Sequence, residues 1–124
     1  MDPKMMEMSE KAFQAQVVGL AQLLGWEWMH VRHSPEVKGG KITRYTTPTM
    51  GTLGKGWPDL VLVREKDRRL IFAELKSKTG GLSTEQTRVL DVLRSLNGGV
   101  LVMPMAEVYV WRPAEIDTIA TILA

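Results

Sequence analysis

Apolar positions recur at helical spacing near the start of the chain, where Phe13, Val17, Leu20, Ala21 and Leu24 follow Ser9. This stripe predicts an amphipathic helix capped by the Ser9 side chain and ended at Gly25, where a left-handed backbone costs little. The spacing then changes to two, and residues 26–31 read as a strand with alternating aromatic and β-branched positions. From 34 to 56 periodicity is lost, and Gly, Pro, Thr and basic residues take over. A long basic loop is expected there, of the kind that often carries function. Residues 59–63 and 70–76 follow, joined by a polar link over 64–68. Both runs are apolar on both faces, which predicts central strands covered on each side. Gly80-Gly81 breaks the chain, and Ser83 opens a second helix with Val89, Leu90, Leu93 and Leu96 on its stripe. Short strands are expected at 100–103 and 108–111. Pro113 then begins a last helix with Ile116, Ile119, Ala120 and Leu123 facing inward. The predicted order is α-β-β-β-α-β-β-α, an α/β (α+β) class domain with a mixed sheet flanked by helices. It spans 1–124 as one unit, with residues 1–8 as a flexible lead.

A chain of 124 residues suits one domain, and its composition removes several function classes. The absence of cysteine excludes disulfides, thiolate zinc sites and a cysteine nucleophile, and it suits a reducing compartment. Two histidines cannot build a His-rich cage, so any metal would take mainly oxygen ligands, as Mg²⁺, Mn²⁺ and Ca²⁺ do. No apolar run approaches the roughly 20 residues of a membrane span, and Met1-Asp2-Pro3-Lys4 has no secretory pattern. A cytoplasmic protein without a membrane partner is therefore expected. The Gly-x-x-x-x-Gly-Lys-Ser/Thr pattern is missing, so phosphoryl transfer from ATP has no support. The net charge of +2 is unevenly spread: residues 11–103 carry 14 basic against 8 acidic side chains, whereas both ends are acidic. That bias is compatible with a polyanionic partner but does not require one.

Candidate chemistry lies in the central hairpin. With the turn centred between Lys66 and Asp67, Val61 pairs with Phe72, Val63 with Leu70, and Asp59 faces Glu74. The two-residue alternation puts Lys76 on the face of Glu74. Facing carboxylates on adjacent strands repel, and a divalent cation between them reverses that sign. The plainer alternative is that Asp59 ends a loop and that Glu74 and Lys76 form an ordinary exposed ion pair. Charged residues after four apolar ones in a buried strand nevertheless need partners.

These residues also carry a resemblance. Gly56-Trp57-Pro58-Asp59 followed by Glu74-Leu75-Lys76 is the Pro-Asp…(Asp/Glu)-x-Lys pattern of the restriction-endonuclease-like nuclease superfamily. The chain more specifically resembles the VRR-NUC family within it. Ser9-Glu10, the block from Gly56 to Val63, Ala73 to Lys76, Gly81 to Gln86 and Val110 to Pro113 occur in the family's order. The resemblance implies a restriction-endonuclease-like core and metal-dependent hydrolysis of DNA phosphodiester bonds, leaving 5′-phosphate and 3′-hydroxyl ends. It assigns Asp59, Glu74 and the carbonyl of Leu75 to a Mg²⁺ or Mn²⁺ ion, and Lys76 to the attacking water or the scissile phosphate. Glu10 would reach the metal or its waters, and Gln86 would orient the site. Both have local explanations as well, since an acid in a first helical turn suits the helix dipole and Ser83-x-x-Gln86 is a capping box. Small members of the family resemble Holliday junction resolvases that act as homodimers on branched DNA. The alternatives are a less selective nuclease that trims flaps or nicks duplexes, and a non-catalytic DNA-binding module with the same fold.

DNA contacts are expected from Lys38, Lys41, Arg44 and Lys55 in the basic stretch and from Lys78 after the second central strand. His30 and His33 lie three apart around a strand end, which is unsuited to a shared metal. Trp26, Trp28 and Trp111 are expected to pack or rim the sheet rather than stack bases. Arg88 and Arg94 read as solvated charges.

Overall fold

The structure is a computed structural model that describes residues 8–31, 34–46, 51–97 and 105–124. Ser9 starts the first helix, α1 (Glu10–Leu23), by accepting a hydrogen bond from the Ala12 N–H at 3.1 Å. Gly25 ends it at φ 85°, a conformation that favours glycine. The edge strand β1 (Glu27–His30) follows, and then a hairpin of β2 (Ser34–Lys38) and β3 (Lys41–Thr46). The central strands are β4 (Leu60–Arg64) and β5 (Arg69–Leu75), joined through a 3₁₀ turn over Glu65–Asp67. Helix α2 (Thr84–Ser95), strand β6 (Glu107–Trp111), a 3₁₀ turn at Pro113–Glu115 and helix α3 (Ile116–Leu123) complete the chain. The expected lead over 1–8 lies, apart from Met8, outside the described residues, as does the strand expected at 100–103. Among the described residues no helix is long and apolar enough to cross a membrane.

The main sheet has the order β1-β4-β5-β6, antiparallel except for the parallel pair β5/β6. A parallel pair needs a crossover, and α2 supplies it. Asn97 closes that crossover by donating to the Ala106 carbonyl at 2.6 Å and accepting from the Ala106 N–H at 3.2 Å. The expected register of the central hairpin is observed, with Val61 opposite Phe72 and Val63 opposite Leu70. Phe13, Val17 and Ala21 of α1 and Ile119 and Leu123 of α3 pack on Leu60, Leu62, Ile71 and Ala73 to form the core. A fully buried side chain of this size contributes about 1.5–3 kcal/mol.

Two expectations need correction. The 34–56 stretch is not a loop throughout, because 34–46 folds as the β2–β3 hairpin around Gly39 and Gly40, at φ 59° and 77°. Two left-handed residues make the tight turn that matches the twist of antiparallel strands. A register shift between Glu36 and Val37 interrupts the alternation along β2, which hides it from a periodicity reading. The central strands are also not equally covered. The face of Leu60, Leu62, Ile71 and Ala73 is fully buried, whereas Val63 and Met29 on the other face are 39% and 56% exposed. Among the described residues, α2 lies against β6 and leaves that half of the sheet open.

The 64–68 link contains a charge with a structural role. Arg64 is only 5% exposed. Its guanidinium binds both oxygens of Asp67, at 3.0 and 2.7 Å, and donates to the Leu24, Leu123 and Ala124 carbonyls. It also stacks over Trp26, 4.6 Å from the ring centre, while Trp26 Nε1 donates to Leu123 O. The carbonyls left free at the ends of α1 and α3 thus find donors.

Candidate active site

Two strands and one helix bring the site together. Gly56, at φ 107°, turns the chain toward Trp57, whose ring meets Phe72 edge-on at 5.4 Å. Pro58 is buried, and Asp59 lies immediately before β4. Asp59 is held at both ends: its carbonyl accepts from the Val31 N–H at 2.9 Å, and its Oδ2 accepts from the Leu75 N–H at 2.8 Å. Leu60 pairs with Ala73, so one further step along each strand sets Asp59 across from Glu74, as the hairpin register predicts.

Glu74 is buried to 2% exposure near the end of the central strand β5. Its Oε1 accepts from Gln86 Nε2 at 3.1 Å and lies 3.9 Å from the Lys76 ammonium. No donor among the described residues reaches its buried Oε2. Burial first, and then the Asp59 carboxylate beside it, push the Glu74 carboxyl up to about 9; the Lys76 charge opposes this without cancelling it. A buried carboxylate pair with an undonated oxygen suits a cation that prefers oxygen ligands. Two carboxylates completed by waters and substrate phosphate are a usual ligand set for Mg²⁺.

Gln86 combines the two roles that its sequence position left open. Its backbone N–H donates to Ser83 Oγ at 3.1 Å and its Oε1 accepts from the Ser83 N–H at 2.9 Å, completing a capping box. With the amide oxygen engaged in the cap, the NH₂ group is the end that faces Glu74. Helix capping and site orientation therefore use opposite ends of one amide.

The profile of the VRR-NUC domain family matches residues 7–106. The chain belongs to that family. It is accordingly a nuclease domain, and its mixed α+β architecture is compatible with a nuclease core. No curated protein and no solved structure gives a match.

Within this VRR-NUC domain, Asp59, Glu74, Lys76 and Gln86 come together. Leu75 is buried between them in sequence and orients Asp59 through its N–H. Glu10 is exposed in the first turn of α1, and its negative charge adds to the upward push on Glu74. No group of three or more His, Cys, Asp or Glu side chains among the described residues is arranged to hold an ion. Of the expected DNA contacts, Lys41, Lys55 and Lys78 are exposed, and Lys55 lies 3.5 Å from Glu85. The side chains of Lys38 and Arg44, and all of His33, lie outside what is described. His30 is exposed and stacks on Trp28, which is 38% exposed, while Trp26 and Trp111 are buried.

Sequence reasoning missed how the turn before Asp59 is fastened to α2. Arg88, expected to be a solvated charge, donates to the Thr52 carbonyl at 3.1 Å. Lys55 meets Glu85 one helical turn earlier. Glycine at 56, a residue without a side chain in front of a Trp-Pro pair, was the available signal.

Proposed function

We propose that this VRR-NUC domain hydrolyses phosphodiester bonds of branched DNA, using Mg²⁺ or Mn²⁺ held by Asp59 and Glu74, and that it acts as a homodimer. The observation that carries the reading is the buried carboxylate pair with Glu74 Oε2 undonated. That arrangement opposes its own ionisation unless a cation joins it. Asp59, Glu74 Oε2 and the Leu75 carbonyl would hold the ion. Glu10 would act on it from outside, through a water. When bound, such an ion polarises a phosphate oxygen and lowers the pKa of a coordinated water.

The remaining work belongs to the chain. The Leu75 N–H and Gln86 fix the two carboxylates, so that little reorganisation is needed on binding. Lys76, with a side chain 14% exposed beside Glu74, would stabilise negative charge growing on the scissile phosphate. Lys38, Lys41, Arg44, Lys55 and Lys78 would bind flanking phosphates. A four-way junction has two equivalent strands to cut, and a twofold dimer supplies two equivalent sites. A cytoplasmic site of action is part of the proposal, and the cysteine-free composition suits such a reducing compartment.

A cleavage panel tests the reading: labelled four-way junction, flap, nicked and linear duplex, each with Mg²⁺, Mn²⁺ or EDTA. Metal-dependent cutting with preference for the junction is expected. Equal cutting of all substrates would favour a less selective flap or nicking nuclease. Binding without cutting in either metal would favour a non-catalytic DNA-binding module.

A further inference from the structure

We propose that Gly56 is a positioning residue for this site: its missing side chain lets the first turn of α2 sit directly on the 51–57 turn, which sets Gln86 against Glu74. The inference rests on the nuclease reading above.

A Cβ built on Gly56 would lie 2.6 Å from both the carbonyl carbon and the carbonyl oxygen of Glu85, and 2.8 Å from Gln86 N. These are backbone atoms of a hydrogen-bonded helical turn, so no side chain can rotate away to make room. Gly56 also sits at φ 107°, where any L side chain is strained. Space and conformation both require glycine, and the space is taken by the turn that carries Gln86.

The contact connects two parts of the site. Gly56 is three residues before Asp59, and the same short turn is tied to α2 by Arg88 on Thr52 O and by Lys55 beside Glu85. On the helix side, the Ser83 cap fixes the Gln86 backbone and its amide oxygen, leaving Nε2 directed at Glu74 Oε1 at 3.1 Å. A movement of the first turn by a few tenths of an ångström lengthens that hydrogen bond past useful geometry. Gly56 thus acts on Glu74 through Gln86, and it keeps Oε1 occupied so that Oε2 is the oxygen offered to a cation.

The test is a double-mutant cycle with Gly56→Ala and Gln86→Met, read as kcat and KM on a cleaved DNA and as Mn²⁺ affinity by calorimetry. Each single variant is expected to lose about 10–100-fold in kcat or in metal affinity, as partners of ligating residues do. In the Gln86→Met background, Gly56→Ala should add less than about twofold, because the interaction it serves is already gone. Independent, multiplicative losses would overturn the inference. A second readout needs no activity: the side-chain amide signals of Gln86 in NMR should move to solvent-like positions in Gly56→Ala while core signals stay. Unmoved Gln86 signals in a folded Gly56→Ala chain would also overturn it. Should Gly56→Ala fail to fold, Ser83→Ala loosens the same turn from the other side, with Ser83→Thr expected to restore the Gln86 signal. A Ser83→Ala chain with unchanged Gln86 signals would then count against the inference. A wild-type chain that cuts no DNA refutes the nuclease reading alone, since the NMR result still decides this one.

Discussion

Among the described residues, Glu74 is the one whose ionisation the fold makes most expensive, and the consequence is measurable without substrate. Its carboxyl is raised from the ordinary 4.5 to about 9, so the folded chain keeps a proton that the unfolded chain gives up. Stability of the metal-free protein should therefore fall as pH rises from about 4.5 through about 9. Glu74→Gln has no proton to lose there, so urea unfolding of the EDTA-treated variant should show a flatter pH dependence and greater stability at the alkaline end. Identical pH profiles for the two chains would contradict the burial account. Lys76→Ala should lower kcat while leaving Mn²⁺ affinity close to normal, because its charge acts on the transition state; calorimetry beside turnover measurements separates the two. Asp59, Glu74 and Lys76 were legible in the sequence because strand alternation and one hairpin register suffice to set them together. The double use of Gln86 was not. Capping and site orientation call for the same residue at the same place, and only the distances show each end of the amide with its own partner.

Among the elements, the central hairpin and its flanking helices follow from periodicity and caps, whereas the ties between them come from charges that a linear reading treats as solvent-facing. Arg64 is the clearest case, since it lies in a polar link yet holds the carbonyl ends of two helices. Its one sequence signal is Asp67 three residues later, which is common in any turn. Arg64→Met keeps much of the bulk but removes the guanidinium donors to the Leu24 and Ala124 carbonyls and leaves Leu123 O to Trp26 Nε1, and a loss of about 2–3 kcal/mol is expected in urea unfolding. A change below about 0.5 kcal/mol, ordinary for a surface site, would show that the clamp is dispensable. A similar tie joins β5 to β6, where Arg69 grips both oxygens of Glu107 at 2.8 and 2.7 Å and Tyr109 donates to the same carboxylate. Burial raises that carboxyl, but the Arg69 fork and the Tyr109 hydroxyl outweigh it and hold the group below its ordinary value. Its stabilising contribution is thus present above the ordinary carboxylate pKa and lost as pH falls through the lowered one. Glu107→Gln should make the chain less stable near neutrality and flatten its acid unfolding, a difference that melting curves across the acid range will read. The β2–β3 hairpin escaped the periodicity reading for a different reason: its register shift breaks the alternation on which strand recognition depends.

The whole molecule combines a fixed carboxylate pair with basic side chains spread over separate elements. If Lys38, Lys41 and Arg44 bind phosphates, replacing all three with alanine should flatten the logarithmic salt dependence of junction binding by about 0.9 for each phosphate no longer neutralised. An unchanged slope would remove the hairpin from the DNA interface. Light scattering should give twice the chain mass at micromolar concentration, and a monomer that still makes paired nicks would refute the dimer. A metal-dependent hydrolytic site at Asp59 and Glu74 requires that cutting follow both the ion and its ligands. The wild-type chain and Asp59→Asn are titrated side by side with Mg²⁺ on a single labelled four-way junction, with junction binding followed in EDTA. Catalysis by an ion held there predicts that wild-type cutting rises with Mg²⁺ and vanishes in EDTA, while Asp59→Asn binds the junction normally and cuts nothing. Full cutting by Asp59→Asn, or wild-type cutting that persists in EDTA, would contradict it.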